Sequence, residues 1–251
     1  MVITYSVHRE TRAIHGWTLF SHDVVTSTNL VAASLPAWSA VCANTQTNGR
    51  GRFQRRWISD QGGLWLSAVL PISSVSVTAK TLPLAVGLAL CEVLSELGVK
   101  QVRLRWPNDV LINDRKLAGV LLDQFSPGAA VVGIGLNVFN HPEIHDPSLS
   151  TQATRLADVI QQTPQLSELI SLLLQHLRDI TLELESAGFG SILARLNRFW
   201  AGPRPVTLDL DGQIVRGTFT GIDEEGRLLL ANDSDGTVPY EAHQVRHLQE
   251  S

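Results

Sequence analysis

The order of apolar and polar positions divides the chain into three stretches. In the first, short strands alternate with helices. "VVTSTNLVAASL" places Ser27 or Thr26 to cap the turn into an apolar helix. "AWSAVCANTQ" then reads as a strand of small and β-branched residues, and "GGLWLSAVLP" as a second strand ended by Pro71. Residues 79–98 make a largely apolar helix, with Pro83 in its first turn and Gly98 at its stop. "VRLRW" alternates like a strand and breaks at Trp106-Pro107. "DVLI" and "LAGVLLD" flank "NDRK", a hairpin turn of the Asn/Asp kind. "AAVVGIGLNVF" is one more buried strand, in which Gly133 and Gly135 permit close backbone approach.

Beyond residue 150 the period becomes helical. "LSELISLLLQHLRDITLELESAG" repeats Leu and Ile at helical spacing, and "FGSILARLNRFW" adds a shorter helix. From Pro203 short strands return, "PVTLDL", "QIVRGTFTGI", "RLLLA" and "TVPYE", with turns at Asp211-Gly212, Glu225-Gly226 and near Asp235-Gly236. The pattern predicts an α+β main domain over residues 1–200 and a small all-β barrel or sandwich over 201–251.

Composition narrows the function classes. With 44% hydrophobic residues and 18% charged, the 251-residue chain is a folded one with ample core. A formal net charge of −4 argues against general nucleic-acid or anionic-membrane binding. Cys42 and Cys91 lie far apart and suggest neither a disulfide framework nor a zinc site. The polar N-terminus has no signal-peptide core, and no apolar run reaches membrane-spanning length, so the cytoplasm is the expected compartment.

Against this acidic background "TQTNGRGRFQRRW", residues 45–57, gathers Arg50, Arg52, Arg55 and Arg56 around Gly49 and Gly51 and ends on Trp57. Backbone N–H groups and guanidinium groups can converge there on an anion. It is neither a P-loop nor a dinucleotide fingerprint, because Gln54 stands where GxGxxG needs its third Gly; "GIGLNV" fails in the same way at Val138. In "RWPNDV", Asp109 either belongs to a simple turn or holds a metal ion or orients an amine, with Arg105 beside it. Lys116 is either a solvated surface group or the partner of an anionic substrate or phosphoryl group. Asn137 either caps a strand end or offers its amide to a base edge. His141, His145 and Asp146 fit an exposed polar loop better than a metal site.

Taken in order, "STN", "GRGR…RRW", "WPNDV", "RKLAGVLL" and "GIGLNV" resemble the biotin–protein ligases, the biotin–[acetyl-CoA-carboxylase] ligase family, over most of the chain. The resemblance implies a class II synthetase-like α+β domain with a C-terminal SH3-like barrel. It implies activation of biotin by ATP, with Mg²⁺, to biotinyl-5′-AMP, and transfer to a lysine of a biotin carboxyl carrier domain of acetyl-CoA carboxylase. By matching position, Ser27, Thr28, Asn29, Gln46 and Arg50 look like binders of the biotin head, and Gly119 and Leu121 like the lining of its tail. Lys116 looks like the contact to carboxylate and α-phosphate. Arg52 belongs to a loop expected to order over the adenylate, Trp57 looks like the ring stacked on adenine, and Asn137 like the reader of its edge. Arg50, Arg52, Lys116 and Asp109 would carry the chemistry; no metal ligands are assigned. Departures are Gln54 for a usual Gly, Arg105 for a usual Lys and Thr47 for a Gln. About 25 residues precede "STN", too few for the DNA-binding helix-turn-helix of bifunctional members, so no DNA partner is expected. Monomer and homodimer stay open. The competing readings are a non-catalytic biotin or biotinyl-AMP sensor and a lipoate- or octanoyl-transferring relative.

Overall fold

The computed structural model describes residues 6–72, 78–126, 128–146, 152–200, 202–232 and 236–250. Its main unit is an eight-stranded mixed sheet in the order β1-β2-β3-β4-β8-β7-β6-β5. The strands are β1 (Ser6–Ile14), β2 (Trp17–Val25), β3 (Ser39–Gln46), β4 (Leu64–Ile72), β5 (Val102–Arg105), β6 (Asp109–Ile112), β7 (Arg115–Ser126) and β8 (Gly128–Leu136). Among the described strands only β2 and β3 pair in parallel. Three helices, α2 (Leu82–Glu96), α3 (Leu166–Ala187) and α4 (Gly190–Arg198), contribute to one core with one face of the sheet, while the short α1 (Thr28–Ala32) packs with Val41, Val69 and Val131 in a second cluster.

Local chemistry accounts for most boundaries. Pro83 lies in the first turn of α2, where a missing N–H costs nothing, and Gly98 ends it at φ 78°. Asn113 and Asp114 both take positive φ in the two-residue turn joining β6 to β7. Pro71 does not end β4, contrary to expectation: the strand runs to Ile72. Pairing with β3 stops at Val69, so the missing N–H of Pro71 falls where no β3 partner is waiting. Ser27 stands at the N-cap of α1 but its side chain makes no capping hydrogen bond. The polar N-terminal hairpin β1–β2 had no expected counterpart.

The second sheet is wholly antiparallel, in the order β12-β11-β10-β9-β13. It comprises β9 (Arg204–Leu210), β10 (Gln213–Ile222), β11 (Leu228–Asn232), β12 (Gly236–Tyr240) and β13 (His247–Glu250). The turn expected near Asp235-Gly236 falls largely outside the described residues. Val206, Leu208, Phe219, Leu228 and Leu230 join the same apolar cluster as α2 and β4, so the two units share one core. Trp106 Nε1 donates to the Gly226 carbonyl at 3.0 Å across the junction.

An ion cluster closes the other side of that junction. Arg103 on β5 grips both oxygens of Glu250, at 2.8 and 2.7 Å, and Arg204 Nε donates to Oε1 at 2.7 Å. Burial raises the Glu250 pKa, but the bonds and charges of Arg103 and Arg204 outweigh it and leave the carboxyl below its ordinary value. The stability this gives is therefore full above the usual glutamate value of about 4.3 and lost as pH falls through the lower folded value. Glu250→Gln is expected to cost about 2–3 kcal/mol at pH 7, since each partner keeps an edge in water, and much less at pH 3. Urea denaturation of both proteins at the two pH values checks this; an equal cost at both would show that the carboxylate charge is not what holds the junction.

Candidate active site

On the face of the sheet away from α2, β7 and β8 expose a strip of small residues. Ala118 and Val120 point into the core, whereas Gly119 and Leu121 face a cleft of about 680 Å³. Gly135 pairs with Gly119 and Gly133 with Leu121, which keeps the floor flat. A Cβ on Gly133 would lie 2.5 Å from Asn29 Oδ1, so only glycine lets α1 approach this closely.

One end of the cleft is a polar network. The Thr28 N–H and hydroxyl both donate to Gln46 Oε1, at 2.8 and 3.0 Å. Gln46 Nε2 donates to Ser59 Oγ at 2.9 Å, and Ser59 Oγ donates to the Trp57 carbonyl at 3.1 Å. Ser67, fully buried on β4, has its hydroxyl 2.7 Å from Thr28 Oγ1 and 2.5 Å from Asn29 Oδ1. The chain from Asn29 to Trp57 locks the orientation of each amide and hydroxyl facing the cleft. Sequence reasoning missed Ser59 and Ser67. The signal for Ser67 was present: it is the lone polar residue inside the apolar run "LWLSAVL".

The other end is an ion cluster. Asp109 Oδ1 lies 2.6 Å from Lys116 Nζ, and Oδ2 lies 2.8 Å from Arg105 Nη2. Burial pushes the Asp109 carboxyl up, but the Lys116 and Arg105 charges more than offset it, so it stays ionised below its ordinary pKa. Lys116 Nζ also stands 5.0 Å over the Trp57 ring.

Trp57 lies directly on the glycine floor. A Cβ on Gly135 would meet its Nε1 at 2.5 Å, and one on Gly119 its Cζ3 at 3.3 Å. Among the described residues, the buried indole N–H has no hydrogen-bond partner. Asn137, at the end of β8, donates through Nδ2 to the Thr154 carbonyl at 3.3 Å and accepts from Asn140 at 3.0 Å. That leaves its amide one N–H and one lone pair for anything else.

The arginine loop arches over this floor as a miniature hairpin. Gly51 N–H donates to the Arg55 carbonyl at 2.8 Å and Trp57 N–H to the Gly49 carbonyl at 2.9 Å. Gly49 is obligatory, because a Cβ would sit 2.5 Å from the Trp57 carbonyl oxygen. Arg50 Nη1 donates to Gln54 Oε1 at 3.3 Å. Arg52 does not reach into the cleft floor: its Nη2 donates to the carbonyls of Ala242 and Val245 in the second unit. Burial lowers its pKa, with the Asp109 charge working the other way. The loop expected to order over the adenylate thus has defined protein contacts of its own.

Residues 22–138 match the model of the biotin/lipoate A/B protein ligase family, and residues 204–245 match the biotin protein ligase C-terminal domain. The biotin–[acetyl-CoA-carboxylase] ligase of Mycobacterium tuberculosis is 35% identical over 245 residues, covering 90% of this chain and 89% of that protein. The chain belongs to the biotin–protein ligase family. The bifunctional ligase/repressor BirA of Escherichia coli is 32% identical over 207 residues; the match covers 79% of this chain and 63% of that longer protein. Among solved structures, the Aquifex aeolicus biotin protein ligase in complex with biotin and ATP superposes with a TM-score of 0.82 at 26% identity, covering 93% of this chain and 99% of that one. The biotin–protein ligase fold thus accounts for both sheets, including the antiparallel C-terminal one.

Proposed function

We infer that this chain activates biotin with ATP and transfers it to a protein lysine. The observation that carries the reading is that one cleft joins the Thr28–Gln46–Ser67 network to the Lys116–Asp109–Arg105 cluster. The first suits a neutral, hydrogen-bonding ureido head. The second, beside the arginine loop, suits two anions that must be brought together.

In the first step a biotin carboxylate oxygen bonds to the α-phosphorus of ATP, the bond to the bridging oxygen breaks, and pyrophosphate leaves. The reactants are like-charged, so positioning and compensating cations supply most of the catalysis. Ser27, Thr28, Asn29 and Gln46 bind the head with Arg50, and Gly119 and Leu121 line the tail. Lys116 meets the carboxylate and α-phosphate, held on course by Asp109. Trp57 is the adenine platform and Asn137 offers its remaining N–H to the base. Arg52 acts through the loop it anchors. In the second step a lysine amine attacks the acyl carbon and AMP leaves. We take the acceptor to be a biotin carboxyl carrier domain of acetyl-CoA carboxylase and the compartment to be the cytoplasm. Among the described residues no helix is long and apolar enough to cross a membrane.

Magnesium finds no protein cage here. Both Asp109 oxygens are held by cations, and among the described residues no three His, Cys, Asp or Glu side chains converge. An ion arriving with ATP would be carried on the phosphates.

Biotin-dependent pyrophosphate release with MgATP tests the reading, with lipoate as the control acid. Release stimulated by lipoate but not by biotin would favour the lipoate relative, and biotin binding without release would favour a sensor. Ser67→Ala is expected to weaken biotin binding by about tenfold, measured by calorimetry, because Thr28 and Asn29 lose a shared buried partner. Adenylate formation at saturating biotin should stay near the parent rate; unchanged binding would remove Ser67 from the head site.

A further inference from the structure

We propose that Phe53 and Arg246 latch the arginine loop to the C-terminal sheet, and that this latch sets how long the cleft retains biotinyl-5′-AMP. The second half rests on the ligase reading; the first stands on contacts alone.

The loop apex is unusual in its backbone. Phe53 and Gln54 both take left-handed conformations, φ 54° and 60°, that L residues adopt rarely. Unlike the Asn113-Asp114 turn, neither Phe nor Gln favours this conformation, so contacts beyond the loop help to hold it. Two guanidiniums stand over the Phe53 ring, with Arg52 Cζ at 4.8 Å and Arg246 Cζ at 4.6 Å from its centroid. Arg52 Nη2 donates to the Ala242 carbonyl at 2.5 Å and the Val245 carbonyl at 3.2 Å, and Arg55 Nη2 to the Arg246 carbonyl at 3.4 Å. Asp211 Oδ1, 3.1 Å from Arg246 Nε, holds the outer guanidinium in place.

Phe53 is still 38% exposed, so burial of its ring alone does not explain the arrangement. All of these contacts are between protein groups, so none of them requires substrate. Val245, Arg246 and Leu248 line the same cleft as Arg50 and Arg52. The connection between β12 and β13 thereby becomes a wall of the site. Phe53 is a positioning residue: it reaches the reacting groups only through the loop whose arginines face them. Gln54 belongs to the same device, since its Oε1 accepts from Arg50 Nη1.

The test compares wild type, Phe53→Ala, Arg246→Ala, the double variant and Phe53→Tyr. In protein prepared without biotin or ATP, amide exchange at Gly51, Arg55 and Trp57 and tryptic cleavage within residues 50–56 are measured. Each alanine variant should speed both by roughly threefold to tenfold. The double variant should add little to the larger single effect, and Phe53→Tyr should match wild type. From preloaded enzyme, biotinyl-5′-AMP should escape faster in both alanine variants by a similar factor, with the melting temperature unmoved. Equal loop exchange in all five proteins overturns the latch. Faster exchange without faster escape overturns its role in retention. If wild type shows no biotin-dependent pyrophosphate release, the ligase reading fails while the loop measurements still decide the latch.

Discussion

Lys116→Ala is expected to slow biotin-dependent pyrophosphate release by about 10²–10³-fold, the range for removing one preorganised charge-stabilising group, while changing biotin affinity less than threefold. The split follows from position. Lys116 belongs to the ion cluster, 2.6 Å from Asp109, and has no bond to the Thr28–Gln46 network that receives the head. Its charge matters when the carboxylate oxygen nears the α-phosphorus, so the loss falls on the rate and not on ground-state binding. Arg105 still holds Asp109 in the variant, so the fold should survive. Lys116→Arg should restore little, because a longer planar fork does not put a compact charge where the ammonium stands 2.6 Å from Asp109. Single-turnover adenylate formation and calorimetric biotin titration give the two numbers. Equal losses in both would place the lysine against the biotin head instead.

What could be read from the sequence was whatever local chemistry enforces. The Asn113-Asp114 turn, the Pro83 start and Gly98 stop of α2, and the helical spacing of Leu and Ile in α3 are short-range signals, and the structure has each of them. The hairpin β1–β2 was not read, because β1 is an exposed edge strand whose polar sequence "SVHRETRAI" lacks an apolar face; on β2 the buried apolar residues Trp17, Leu19 and Val25 are separated by polar ones. Strand β13 was missed because its four residues pair only with β9. In the site, the motifs pointed to Lys116, Asp109, Trp57 and the arginine loop. Their partners were illegible because they are distant in sequence: the carbonyls of Ala242 and Val245 that hold Arg52 lie 190 and 193 residues away. A guanidinium surrounded by glycines reads as a ligand contact until the fold shows which carbonyls it already serves. The odd Gln54 shows the same limit. A missing Gly was visible in the sequence, but its positive φ and its bond to Arg50 were not.

The glycine floor supplies the other large effect. Gly135→Ala places a methyl group 2.5 Å from Trp57 Nε1 and 2.6 Å from Cε2, distances that Cβ atoms essentially never show. The strand cannot retreat, since β8 is paired on both sides by β4 and β7. The indole must therefore lift, carrying with it the loop end that Trp57 N–H ties to Gly49. In the proposed site this removes the adenine platform. Base-on-aromatic stacking is worth about 1–3 kcal/mol, so the KM for ATP should rise roughly 10–100-fold. Overpacking should also cost about 1–3 kcal/mol of stability. Biotin affinity should fall less, because the network from Thr28 to Ser67 does not pass through β8. Gly190→Ala is the matched control: its added methyl meets nothing within 4 Å, so both KM and melting temperature should stay near the parent. A Gly135→Ala enzyme with parental KM for ATP would mean that Trp57 does not carry the base, and the adenine would then have to be sought nearer Asn137 and its Asn140 partner.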